Sequence, residues 1–216
     1  MDFLNDIKVY DDVLDEKTTE TMYQWLRGSF YVLARSNSEK QFEQTRKFLS
    51  QKRTPEEVEE FKQRMMREIA NYTCEESMAI DDKYWTRIHK GAPECTHDDE
   101  TFCKALYDSL STIIDTLPPY EHLGNVYTNM LRFMDKPKAH FDNVDPRNRT
   151  VMFYMNDEWN YNWGGETVFY NFKKEIIKSV LPKPGRVVSF DGRIPHAARA
   201  PMTTAYQPRY ITVMKF

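Results

Sequence analysis

Three residues in the last third of the chain could together bind a metal ion. His140 and Asp142 are separated by a single residue, and in an extended strand residues i and i+2 point to the same face. If this segment is a strand, both side chains face inward while Phe141 faces the other way. A second histidine brought from far along the chain, His196, would complete a set of two histidines and one carboxylate. Such a set leaves open positions on an octahedral metal and suits non-haem Fe(II).

The triplet alone is weak support, because the chain has five histidines and many aspartates. His89, His97 and His122 have no partner at ligand spacing, so we interpret them as ordinary surface or core residues. Zinc bound for a hydrolytic reaction is an alternative, since histidine and carboxylate also suit zinc.

Arg209 is the second feature with chemical potential. It begins a final run of mostly apolar residues, and an unpaired charge at the start of a buried strand is costly. One interpretation is a salt bridge or a solvent-facing position. The other is a guanidinium fork that binds the distal carboxylate of a dicarboxylic co-substrate.

Composition limits the class of protein. With 216 residues, 40% of them hydrophobic and 29% charged, the sequence predicts a globular domain, and the formal charge of −3 argues against a nucleic-acid-binding surface. The three cysteines, Cys74, Cys95 and Cys103, are odd in number and do not have the spacing of zinc ligands. We therefore predict reduced structural thiols, as in the cytoplasm. The N-terminus lacks the pattern of a secretory signal, and no apolar run is long enough to span a membrane.

The elements that must position these residues fall into two halves. Helices are predicted from Asp15-Glu16, from the capping box at Thr54-Pro55-Glu56-Glu57, and from Asp98-Asp99 to the stop at Pro118-Pro119. Residues 73–97 are predicted to be irregular. From Gly124 onward, short β-branched and aromatic runs separated by turn residues predict strands; these runs are 125–134, 149–156, 165–171, 185–190 and 208–216. We therefore predict an α+β or mainly β domain over 1–216, with helices of 1–120 packed on a barrel formed by 121–216.

The second half resembles the Fe(II)- and 2-oxoglutarate-dependent dioxygenases of the prolyl 4-hydroxylase type. Six motifs carry the resemblance by occurring in one order; they are His140-Phe141-Asp142, TVMFYMN (150–156), WGGETVF (163–169), PGRVVSF (184–190), Pro195-His196 and Arg209-Tyr210-Ile211-Thr212. The resemblance implies a double-stranded β-helix, or jelly-roll, core supported by N-terminal helices.

The resemblance also implies roles for individual residues. His140, Asp142 and His196 look like the iron ligands, and Arg209 looks like the residue that pairs with the C5 carboxylate of 2-oxoglutarate. Tyr154 takes the place of a tyrosine whose hydroxyl reaches that carboxylate, and Thr212 is expected nearby. Gly164-Gly165 and Glu166-Thr167 are first assigned structural roles. Many family members have a tyrosine shortly before the first ligand histidine. Here Tyr127 lies further back, which leaves open which residue completes the pocket.

The implied reaction is hydroxylation of a C–H bond with conversion of 2-oxoglutarate and O2 to succinate and CO2. Fe(II) is the implied metal, and ascorbate is a further reductant of the family. A proline in a peptide or protein is the first substrate expectation, and a free amino acid or small metabolite is the alternative. Neither a nucleic acid nor a membrane is expected as a partner. A barrel that has kept the fold but only binds or senses a ligand is an alternative of another class.

Overall fold

The computed structural model describes residues 3–29, 31–35, 39–70, 83–93, 95–135 and 137–216. The helices of this part are α1 (Glu16–Arg27), α2 (Glu39–Leu49), α3 (Pro55–Ala70) and α4 (His97–Ser111). The strands are β1 (Lys8–Tyr10), β2 (Val32–Arg35), β3 (Lys83–Lys90), β4 (Asn125–Leu131), β5 (Arg149–Tyr154), β6 (Thr167–Tyr170), β7 (Ile176–Val180), β8 (Val187–Asp191), β9 (His196–Ala198) and β10 (Arg209–Lys215).

The strands form two antiparallel sheets. The larger has the order β1-β8-β5-β10-β4-β3-β2, and the smaller has the order β7-β6-β9. In the larger sheet, β10 lies between β4 and β5, with Ile211 opposite both Asn129 and Tyr154. This arrangement is the double-stranded β-helix predicted from the sequence, although β7 and β9 were not among the predicted strands.

The strand β3 corrects the prediction that residues 73–97 are irregular. It pairs with β2 on one side and β4 on the other. Its burial pattern is inverted, because Ile88 is 39% exposed whereas His89 is 1% exposed. A polar residue on the buried face and an apolar residue outside remove the alternation that identifies a strand. The earlier part of the predicted irregular stretch, together with Cys74, lies outside the described residues.

Helix starts follow the predicted capping chemistry. The Asp15 side chain accepts a hydrogen bond from the Thr18 amide. Before α3, the Thr54 amide donates to Glu57 at 2.9 Å and the Glu57 amide donates to the Thr54 hydroxyl at 3.3 Å. These bonds satisfy amide groups that have no partner within the helix.

The end of α4 differs from the prediction. The helix stops at Ser111 rather than at the two prolines, and the Ile113 amide closes a tighter turn onto the Leu110 carbonyl. Ile113 and Leu117, predicted as helix positions, therefore follow the helix. No helix in the described ranges has both the length and the apolarity needed to cross a bilayer.

Alternation along β10 divides the interior into two cores. Ile211 and Val213 belong to the core between the two sheets, whereas Tyr210 and Met214 belong to the core under the helices. Because successive side chains of a strand point to opposite faces, every functional residue of β10 is assigned to one side. The face of Arg209, Ile211, Val213 and Lys215 lines a cavity inside the β-helix.

Candidate functional site

The three predicted ligands come together at one end of this cavity. Ligand atoms of His140, Asp142 and His196 all lie within 4.8 Å of one another. His140 and His196 form an isolated antiparallel bridge, with the His140 amide 2.9 Å from the His196 carbonyl oxygen. The Asp142 amide donates to the Gly192 carbonyl at 2.9 Å. The segment 140–142 is therefore held by a reciprocal pair of backbone bonds at His140 and by one backbone bond at Asp142, and it lies outside the named strands.

Both histidines present the same nitrogen to the site. His140 Nδ1 lies 3.1 Å from the Lys138 carbonyl oxygen, and His196 Nδ1 lies 3.0 Å from the Ile194 carbonyl oxygen. A carbonyl oxygen only accepts hydrogen bonds, so each Nδ1 carries the proton and each Nε2 has a free lone pair. This assignment is the usual way in which a protein fixes the tautomer of a metal-binding histidine.

The electrostatics keep the set in its ligand form. Burial lowers the pKa of His196 to about 4, so its imidazole is neutral at pH 7. Burial alone would raise the pKa of Asp142, but the nearby Lys215 ammonium and His196 hold it well below its usual range. A neutral imidazole and an ionised carboxylate are the forms that bind a divalent metal.

The predicted anchor, Arg209, lies at another part of the same cavity. It is 1% exposed and donates a hydrogen bond to Thr167 Oγ1 at 2.7 Å. The Tyr154 hydroxyl lies 3.0 Å from both Thr167 Oγ1 and the Val180 carbonyl oxygen. The structure thus brings Tyr154 and Arg209 together and joins them through Thr167, to which the sequence analysis first assigned a structural role.

Arg209 fits a carboxylate-containing ligand. Among the described residues no carboxylate lies within ion-pair distance of its guanidinium, and its Nε is buried without a hydrogen-bond partner. Burial lowers the pKa of this guanidinium, but arginine remains charged at neutral pH. A buried, permanent cation without a counter-ion is costly, and a bound carboxylate would satisfy both its charge and its free donor.

Gly165 allows Arg209 to take this position. Its φ is +77°, and a Cβ atom there would lie 2.9 Å from Trp159 Cζ2 and 3.3 Å from Arg209 Cδ. A side chain at this position would therefore collide with Trp159 and press on the arginine. Gly165 of the sequence motif therefore serves the anchor through this close approach.

Thr212 is not brought to the anchor. It alternates with Ile211 and Val213 and points toward the helices, where its hydroxyl lies 2.7 Å from that of Thr128. The prediction that Thr212 lies near the 2-oxoglutarate carboxylate does not agree with this position. The physical reason is the period of two residues in a strand, which puts residues 209 and 212 on opposite faces.

Residues that the sequence analysis did not assign to the site complete the cavity. Tyr127 and Asn129 of β4 line it, and Lys215 lines it beside Asp142. Strand alternation could have identified all three, since Tyr127 and Asn129 share a face of β4 and Lys215 shares the face of Arg209.

Two arginines that flank His196 in the sequence and two tryptophans of the preceding loop are not among the residues that line the cavity. Arg193 forms an ion pair with Asp191, and Arg199 donates to the Tyr170 hydroxyl. Trp159 and Trp163 pack edge to face at 5.3 Å, and Trp159 Nε1 donates to the Gly164 carbonyl. The two tryptophans therefore pack against each other, and Trp159 is bound to the glycine turn.

Comparison with known proteins agrees with this geometry. Residues 128–214 match the model of the 2OG-Fe(II) oxygenase superfamily. No curated protein matches the sequence. Among solved structures, the chain is similar to an oxidoreductase of the 2OG-Fe(II) oxygenase family from Burkholderia pseudomallei, with a TM-score of 0.61, 11% identity, and coverage of 98% of this chain and 84% of that one.

A second similar structure is the viral collagen prolyl hydroxylase of Paramecium Bursaria Chlorella virus-1, solved in complex with 2OG. Its TM-score is 0.50 at 13% identity, with coverage of 97% of this chain and 94% of that one. Both likenesses concern the fold. The resemblance that the six motifs predicted is confirmed at the level of the superfamily, because its model matches residues 128–214, the stretch that contains all six motifs.

Proposed function

We propose that this protein is an Fe(II)- and 2-oxoglutarate-dependent hydroxylase in which His140, Asp142 and His196 hold the metal. The observation that carries the proposal is that one cavity holds both this ligand set and the buried Arg209, whose guanidinium has no carboxylate partner within the described ranges. A zinc hydrolase would need the ligand set but would leave Arg209 without a role. A dicarboxylic co-substrate uses both.

Each residue has a defined task in this proposal. His140 and His196 offer Nε2, and the Asp142 carboxylate offers a negative charge to the metal. Arg209 and Thr167 bind the far carboxylate of 2-oxoglutarate, while Tyr154 fixes the Thr167 hydroxyl. When bound, the metal and 2-oxoglutarate supply the oxidative chemistry with O2, and the protein orients the reactants and excludes water.

We further propose that residues 1–216 act as one domain. β1, β2 and β3 come from the first half of the chain and extend the larger sheet. Removing the first half would leave the outer edges of β8 and β4 without a neighbouring strand.

The cavity of about 210 Å³ has room for a small dicarboxylate.

A proline in a peptide or protein is our proposed substrate. The motif order of the prolyl 4-hydroxylase type supports it, as does the fold likeness to a viral collagen prolyl hydroxylase. A screen for 2-oxoglutarate-dependent succinate release should compare proline-containing peptides with free amino acids. Turnover of free amino acids alone would replace the peptide proposal with a metabolite hydroxylase.

The cofactor pair is tested by anaerobic titration of the metal-free protein with Fe(II) and 2-oxoglutarate, followed through the visible metal-to-ligand charge-transfer band. We expect the band in the wild type and its loss, or a much higher 2-oxoglutarate requirement, in Arg209→Ala. Arg186→Ala is the matched control, because Arg186 forms its ion pair with Asp11 away from the cavity lining. No band in the wild type would reject the hydroxylase and favour a zinc enzyme or a binding barrel.

A further inference from the structure

The cavity contains a second cation for which the proposed hydroxylase has no role. Lys215 is the last residue of β10 on the face that begins with Arg209. Its Nζ lies 2.8 Å from Asp142 Oδ1, and it lies 5.2 Å from the centre of the Tyr127 ring. A lysine is thus in direct contact with a residue that we assign as a metal ligand.

The two oxygens of Asp142 have different partners. Oδ1 faces Lys215 and lies 3.6 Å from His140 Nε2. Oδ2 accepts a hydrogen bond from the Thr150 hydroxyl at 2.8 Å and lies 3.5 Å from His196 Nε2. Oδ1 is therefore shared between the Lys215 ammonium and the His140 ligand nitrogen, whereas Oδ2 is shared between Thr150 and His196.

The buried Asp142 carboxylate needs a positive charge beside it, and either Lys215 or a metal ion can supply that charge. The Asp142 side chain is 2% exposed, and a buried carboxylate without a counter-charge is strongly unfavourable. In the metal-free protein the Lys215 ammonium supplies that counter-charge. A dication held by His140, Asp142 and His196 would neutralise the same carboxylate and would be repelled by the ammonium.

We propose that Lys215 is a built-in counter-ion of Asp142 that stabilises the metal-free site and competes electrostatically with the bound metal. The inference rests on the proposed ligand set. In this role Lys215 does not contact the metal itself but sets the metal affinity through its charge beside Asp142. Removing its charge then has two opposite effects, since the metal-free protein loses stability while the metal binds more tightly.

A purely orienting role gives the opposite result for metal binding. If Lys215 only held Asp142 in the correct rotamer, its removal would weaken the metal site. Thr150 already holds the other oxygen of the carboxylate, so the orientation of Asp142 does not depend on Lys215 alone. The sign of the change in metal affinity therefore separates the two roles.

The experiment measures Mn(II) binding to metal-free protein through the electron paramagnetic resonance signal of free Mn(II), together with the thermal unfolding of each metal-free protein. The variants are Lys215→Met and Lys215→Gln, which remove the charge, and Lys215→Arg, which keeps it. Lys183→Met is the matched control, because Lys183 pairs with Asp11 and Asp12 outside the cavity lining.

We expect both neutral variants to bind Mn(II) more tightly, on the order of tenfold, because one like charge near the dication is gone. Their metal-free forms should also unfold at lower temperature than the wild type. Lys215→Arg should behave as the wild type in both measurements, and so should Lys183→Met in its Mn(II) affinity. If Lys215→Met does not fold, Lys215→Gln, which can still donate to Asp142, carries the test.

The possible failures are distinguishable. Mn(II) binding by the wild type with unchanged or weaker binding by the neutral variants overturns the counter-ion role and leaves the hydroxylase proposal intact. No Mn(II) binding by the wild type or by any variant overturns the ligand set, and both proposals fail together. Binding that appears only in the neutral variants would support the counter-ion role in its strongest form.

Discussion

The Arg209 guanidinium donates a hydrogen bond to Thr167 Oγ1 across 2.7 Å, in the buried part of the cavity. Thr167 begins β6 in the smaller sheet, and Arg209 begins β10 in the larger sheet. The bond therefore joins the two sheets at the point where the co-substrate is proposed to bind. It leaves the arginine Nε without a partner among the described residues.

This relationship predicts the effect of Thr167→Val. We expect the dissociation constant of 2-oxoglutarate to rise roughly tenfold, because the loss of a hydrogen bond to a charged group costs about 1.5 kcal/mol. The measurement is the 2-oxoglutarate dependence of the charge-transfer band in the Fe(II)-loaded protein.

Thr212→Val is the matched control for this change. Thr212 points to the helix side and bonds Thr128, so its loss should lower the free energy of unfolding by about 1 kcal/mol without changing 2-oxoglutarate affinity. If Thr212→Val weakens 2-oxoglutarate binding as much as Thr167→Val does, the assignment of the two faces of β10 is wrong.

The metal ligands could be predicted from the sequence for two reasons, the short spacing of the first two and the order of the motifs that contain the others. His140 and Asp142 are neighbours along the chain, and the order of the motifs identified His196 and Arg209. The β-core was also accessible, since its strands are short apolar runs between turn residues. Buried strands of this kind carry their signal in composition alone.

The features that the sequence did not reveal depend on contacts between residues that are distant along the chain. Lys215 and Asp142 are far apart in sequence, and their contact follows from β10 lying beside β5 and β4. The strand β3 was missed because His89 is buried by a network that only the fold supplies. Thr212 was misplaced for a simpler reason, since strand alternation from Arg209 would have assigned it to the other face.

Gly165→Ala tests the close approach between the glycine turn and the anchor. The new Cβ would lie 2.9 Å from Trp159 and 3.3 Å from Arg209 at a φ of +77°. We expect a loss of about 1 to 3 kcal/mol in the free energy of unfolding and a higher KM for 2-oxoglutarate. Chemical denaturation and steady-state kinetics measure the two effects.

Gly124→Ala is the control for the glycine change. Its new Cβ would meet only the Lys215 carbonyl oxygen at 3.5 Å, which is ordinary contact, and no positive φ is required there. The KM for 2-oxoglutarate should stay at the wild-type value. An equal rise in KM for both alanine variants would argue against a specific role of Gly165 beside Arg209.

Thr150→Val tests the orientation of the Asp142 carboxylate. The Thr150 hydroxyl donates to Asp142 Oδ2 at 2.8 Å, so its removal frees one oxygen of the ligand to rotate. Loss of such a bond around a metal ligand typically weakens metal binding about 10- to 100-fold. Mn(II) titration of the metal-free variant measures this loss, and unchanged affinity would show that Lys215 alone is enough to hold the carboxylate.

The buried network around His89 predicts how stability depends on pH. His89 Nδ1 lies 2.7 Å from Asp99 Oδ1, and His89 Nε2 lies 2.8 Å from the Thr128 hydroxyl. An ionised carboxylate only accepts, so Nδ1 carries a proton. Burial lowers the pKa of His89 from 6.5 to about 4, so the imidazole is neutral at pH 7 and its Nε2 accepts from the Thr128 hydroxyl.

The sign of the pH effect follows from this lowered pKa. Between pH 6.5 and about 4 the unfolded chain takes up a proton that folded His89 does not bind, so the free energy of unfolding falls as the pH falls. The contribution approaches about 1.4 kcal/mol per pH unit within this window. His89→Gln should therefore be less stable at pH 7 and should show a shallower decline toward pH 4 in urea denaturation series. The exposed His122 provides the control variant His122→Gln, whose free energy of unfolding should decline with pH as that of the wild type does. If the free energy of unfolding of His89→Gln declines as steeply as that of the wild type, the acid sensitivity belongs to other groups. The buried His196 is the first candidate among them.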